Sequence, residues 1–137
     1  MNQDSIALLT EARMEADRRL TPQWTDLFAP LKNRRSPSPD RIFYTFALFD
    51  FELRLMLITY DQTPPLLGLN AALRPTGILT KGAALVKAPF ETGWSAVGSE
   101  KIGTVLELAD ALSRLARQIE DQPQIMARRS QQMDHRF

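Results

Sequence analysis

The stretch Ile42–Tyr60, IFYTFALFDFELRLMLITY, constrains this chain more than any other. It is long enough to span a bilayer. Asp50, Glu52 and Arg54 sit in its middle. Three central charges cost roughly 8–10 kcal/mol on insertion scales, and the ten Leu, Ile and Phe residues return about 3–6 kcal/mol. The charges win, so the segment is expected inside a water-soluble, cytoplasmic protein. Between Asp50 and Leu55, charged and apolar residues alternate strictly. On a strand, Asp50, Glu52 and Arg54 share one face, and Phe51, Leu53, Leu55 and Leu57 share the other. A helix would turn Glu52 into the apolar side. The strand reading is preferred for that reason. Ile42–Phe49 is apolar on both faces, as in a central strand. A single strand of this length would run about 63 Å at roughly 3.3 Å per residue. A tight turn near Leu48–Asp50 is therefore required, although no Gly or Asn marks one. The competing reading is a buried, aromatic-rich helix capped by Asp40.

Helical signals flank this stretch. Residues 5–20 are rich in Ala, Leu, Met, Glu and Arg, with Asp4 or Ser5 placed to cap them. Ile6, Leu9, Ala12 or Arg13, Ala16 and Leu20 form an apolar stripe, and Pro22 closes it. Trp24, Leu27, Phe28 and Leu31 are expected to form a short turn that folds an apolar cluster back on the core. Lys32–Asp40 reads as a linker, since Pro37 and Pro39 hold their neighbours extended. Leu66–Leu73 is expected as a short helix, Ile78–Ala88 as a strand with Gly82 as a bulge, and Trp94–Val97 as a short strand. Thr104-x-x-Glu107 is a capping box, followed by Val105, Leu108, Leu112, Leu115 and Ile119 at helical spacing. Pro123 ends that helix, and 124–137 reads as a polar, flexible tail. The expected fold is a single α+β domain over residues 1–123. A small antiparallel sheet is packed by N-terminal and C-terminal helices.

Composition then removes most chemistry. The 137 residues include no Cys and one His, His135. Thiolate zinc sites, Fe–S clusters, disulfides and Cys nucleophiles are excluded, and a Ser-His pair nearly so. Gly98-Ser-Glu-Lys-Ile-Gly103-Thr104 has P-loop glycine spacing but lacks the lysine that contacts phosphate. Gly93-Trp-Ser95-Ala-Val97 has Val where a nucleophile elbow needs glycine. Asp50 and Glu52 could hold magnesium only with a third ligand that the sequence does not cluster with them. No catalytic residue, metal ligand or cofactor is expected.

The leading expectation is a non-enzymatic protein-interaction module: an adaptor, a chaperone-like protein or a complex subunit, self-associating as a homodimer. Trp24, Phe28, Phe43 and Tyr44 are the candidate partner residues, with Leu112, Leu115 and Ile119 as a dimer seam. The alternative is a nucleic-acid-binding accessory or regulatory protein. The net charge of +1 hides two basic patches. Lys32, Arg34, Arg35 and Arg41 in the 32–41 stretch, with Arg128 and Arg129 in the tail, would then contact phosphates. No membrane association is expected.

Overall fold

Asn2 starts the first helix, α1 (Gln3–Arg19), its side-chain oxygen accepting from the Ser5 N–H at 2.7 Å. Leu9, Ala12 and Ala16 form the buried stripe, while Ile6 stays largely exposed. Pro22 does not stop the chain. Lacking an N–H for the next i→i−4 bond, it sits in a π-helical turn over Leu20–Trp24. That turn carries Leu20 and Trp24 fully into the core. The Trp24 ring meets Phe28 edge-on at 5.2 Å and Phe46 at 5.6 Å between centroids. The structure is a computed structural model that describes residues 1–24, 28, 31–76, 78–81, 84–87 and 92–134. Leu27 and Gly82 lie outside these residues.

The strands are β1 (Leu31–Ser38), β2 (Arg41–Leu48), β3 (Phe51–Tyr60), β4 (Leu66–Pro75), β5 (Ile78–Lys81), β6 (Ala84–Lys87) and β7 (Ser95–Ile102). Five of them form one antiparallel sheet in the order β1-β2-β3-β4-β7, and β5 and β6 pair separately. With helices from both ends of the chain, the fold is α+β, as the sequence predicts. Ile42–Tyr60 is a hairpin. Its turn falls at Phe49-Asp50, where Phe49 has φ 56°. This left-handed conformation costs roughly 1–2 kcal/mol for a residue with a Cβ, which is why turn-forming residues are usually sought there. Phe49 offsets part of that cost by packing against the core.

Several expectations are corrected. The stretch read as a linker is β1, an edge strand. Pro37 sits near its end, where a missing N–H costs no ladder bond on the open side. The predicted short helix is β4, whose ten residues pair with β3 on one side and whose Leu67–Leu73 pair with β7 on the other. Pairing on both flanks overrides a weak helical propensity. Ile78–Ala88 is two strands rather than one, and the strand begun at Ser95 runs to Ile102. The segment from 124 is no frayed tail up to residue 134. It forms helix α3 (Pro123–Asp134), which buries Ile125 completely and bonds Arg128 to both Asp50 oxygens at 2.8 and 2.6 Å.

Between β7 and α3, a 3-10 turn (Val105–Glu107) leads into helix α2 (Leu108–Glu120). The Glu107 carboxylate accepts from the Gly103 and Thr104 N–H groups at 3.0 and 2.9 Å, and these bonds hold it below the usual carboxylate range. Leu108, Ala111, Leu112, Leu115, Ala116 and Ile119 then face the sheet. The approach is close: a Cβ on Gly98 would come within 2.9 Å of Leu115 Cδ1. Among the described residues, no helix is long and apolar enough to cross a membrane.

Tyr44 ties helix to sheet. Its hydroxyl donates to Asp17 on α1 at 2.8 Å, and Asp17 also accepts from Arg34 on β1 at 2.7 Å. Tyr44→Phe is expected to cost about 1–2 kcal/mol, since Asp17 stays part-solvated. Burial, then the Asp17 carboxylate, push the Tyr44 pKa above its ordinary 10.0. Only the unfolded state ionises readily just above that value, so this contribution is whole below about pH 10 and declines as pH rises. Alkaline urea titrations should show a shallower fall in stability above pH 10 for Tyr44→Phe than for the parent chain. An identical slope would refute the assignment.

Candidate functional site

Strand alternation gives the sheet two unlike faces. Tyr44, Phe46, Leu53, Leu55, Leu57, Leu69 and Leu73 join the core with α1, α2 and α3. Their neighbours in sequence point the other way. That opposite face carries Phe43 beside Met56, Thr45 beside Arg54, Ala47 beside Glu52 and Arg54 beside Ala72. Arg74 lies opposite Glu52, Arg35 opposite Phe43, and Lys101 opposite Gly68. Phe43 is buried there, outside the helix-side core.

The centre of this face is a ladder of rings and guanidinium groups. Arg54 lies 4.6 Å from the Phe43 centroid and 4.5 Å from that of Trp94. Arg74 lies 4.6 Å from the same indole. Arg74 also donates to Glu52 through Nε at 2.9 Å and to the Thr92 carbonyl at 3.2 Å. At the β3–β4 end, Lys101 sits 5.7 Å from the Tyr60 ring centroid. Gly93, at φ 83°, turns the chain just before Trp94. Among the described residues, strand alternation puts Arg35, Arg41, Arg54, Arg74, Lys101 and Glu52 on this side of the sheet. Ring stacking holds Arg54 and Arg74 in place, and Arg74 is also ion-paired with Glu52.

The predicted partner residues fare differently. Trp24, Tyr44, Leu112, Leu115 and Ile119 are fully buried within one copy of the chain. They cannot also form a partner surface or a dimer seam. Their helical spacing signals a core-facing stripe, the commoner use of such a pattern. Phe28 is half-buried and packs on Trp24. Phe43 alone of the set belongs to the opposite face.

The predicted phosphate contacts are dispersed. Arg34 pairs with Asp17, Arg41 with Asp40, Arg128 with Asp50, and Arg129 lies 3.9 Å from Glu120. Arg41 and Arg128 hold Asp40 and Asp50 below the usual carboxylate range. Lys32 is exposed at a register break in β1, and Arg35 is on the ladder face. The P-loop-like glycines bracket the end of β7 and its turn, not a phosphate loop. No group of three His, Asp or Glu side chains that could hold a metal occurs among the described residues.

Sequence reasoning did not single out Trp94, Arg54 and Arg74 as a unit. Asp50 bonds Arg128 and Glu52 bonds Arg74. The usable signal was the charged, odd-one-out face of β3; its partners depended on a register that spacing alone does not supply.

No protein-family profile matches the chain, and neither a curated protein nor a solved structure matches it.

Proposed function

We propose that this chain is a non-enzymatic protein-interaction module whose docking surface is the sheet face turned away from the helices. The observation that carries this reading is the part-exposed pair Arg54 and Trp94, held from beneath by the buried Phe43 and Arg74. Arg and Trp are the residues that most often anchor interfaces, because they offer large contact area at low ordering cost. Exposed Ala96, Ser99 and Lys101 on β7 extend the surface beyond the ladder. The small side chains of Ala96 and Ser99 leave room for a partner to approach the sheet.

Nucleic acid is the second reading, because guanidinium and indole groups also serve phosphates and bases. One experiment separates the two. Affinity capture from the source cells should yield a protein that the Ala96→Glu/Ser99→Glu chain loses and that Met14→Glu, altered on exposed α1, retains. Nuclease treatment should leave the capture unchanged. Capture that survives Ala96→Glu/Ser99→Glu would sink the assignment of the face, and capture abolished by nuclease would move the reading to nucleic acid.

A further inference from the structure

A groove of about 200 Å³ opens between α1 and the β1–β2 turn, on the helix side of the sheet and away from the ladder. Its floor is Leu9 and Ile42, both nearly buried, and its apolar walls include Ile6 and Pro39. Three of its lining residues are cationic, Arg13, Arg41 and Met1 through its N-terminal ammonium, which is 3.8 Å from Asp61, and no carboxylate lines it among the described residues. Arg41 is held toward the turn by Asp40, through two long contacts of 3.3 Å. Arg13 forms no ion pair among the described residues and is exposed. Ser36 and Ser38 place hydroxyl groups on the β1 side.

An apolar floor with an unpaired guanidinium at its rim is complementary to one ligand type. We infer that the groove binds a small, apolar-tailed carboxylate, its tail on Leu9 and Ile42 and its head group on Arg13. At about 200 Å³ the groove is smaller than most ligand pockets, which suits a short-chain acid rather than a full-length lipid. The tail would cover Ile6, a large apolar side chain that is 45% exposed. The head group would form the charge-assisted, two-pronged bond that guanidinium offers and ammonium does not. This inference does not depend on the ladder face, and its test leaves that face untouched.

Hexanoate titrated into the full chain, followed through the methyl resonances of Ile6, Leu9 and Ile42, is the direct experiment. Saturable shifts confined to these residues are expected. Arg13→Gln, on an exposed helix position, should weaken hexanoate about tenfold or more, the range of a charge-assisted bond, while its own spectrum reports that the fold is intact. Hexan-1-ol should bind the parent chain about tenfold more weakly than hexanoate. Absence of saturation at millimolar hexanoate would overturn the inference, as would equal binding by Arg13→Gln. Equal binding of the alcohol would overturn the role of the guanidinium.

Discussion

Leu112→Ala is expected to lower the unfolding free energy by about 2–5 kcal/mol, the range for truncating a fully buried leucine. Leu112 has no exposed surface and lies in the core with Leu108, Leu115 and Ile119. The upper half of that range is favoured by its surroundings. α2 already approaches the sheet as closely as Gly98 permits, so the helix cannot easily settle into the vacated space. A melting temperature lower by roughly 8–20 °C follows for a domain of this size. Light scattering at micromolar concentration should show no change in mass between parent and variant. A variant that melts normally but changes its association state would restore this stripe as a seam between copies.

Arg74→Ala carries the second largest effect. The Arg74 side chain is 7% exposed and its partner Glu52 is 22% exposed, with 2.8 Å between charged atoms. Truncation leaves the Glu52 carboxylate in a half-desolvated place without the guanidinium that bonds it. It also removes one side of the stack on Trp94 and a bond to the Thr92 carbonyl. Breaking a buried pair from one side costs about 3–5 kcal/mol, and residual water at Glu52 reduces this to about 2–3 kcal/mol. Arg74→Lys should recover less than half of the loss, since ammonium keeps the charge but neither the fork nor the planar stack. Urea unfolding of Arg74→Ala, Glu52→Gln and the double variant gives the coupling directly. A coupling below about 0.5 kcal/mol would mean that the pair is held by the surrounding packing alone.

The helices at both ends and the hairpin over Ile42–Tyr60 were legible because each rests on local signals. The Glu107 cap and the Val105–Ile119 stripe sit within one element. The alternation from Asp50 to Leu55 needed only a period of two to be read. What failed depended on distant partners. β4 looks helical until β3 and β7 are placed on its flanks. β1 looks like a linker because its exposure and prolines suit an edge strand equally well. Helix α3 lacks a strong apolar stripe, and its register is fixed by Ile125 and by the Arg128 bond to Asp50, 78 residues away in sequence. The ladder was illegible for the same reason. Phe43, Arg54, Arg74 and Trp94 come from four separate segments, and only strand register brings them together.

The free edge of β1 has a consequence beyond its own pairing. Its register breaks between Leu31 and Asn33, and again between Arg35 and Ser38. The outward N–H and C=O groups are therefore out of phase with any straight incoming strand, and Pro37 removes one donor outright. A strand from another molecule could match only a short run of them at a time. Crowding alone thus offers this chain no continuous template along that edge for fibril growth.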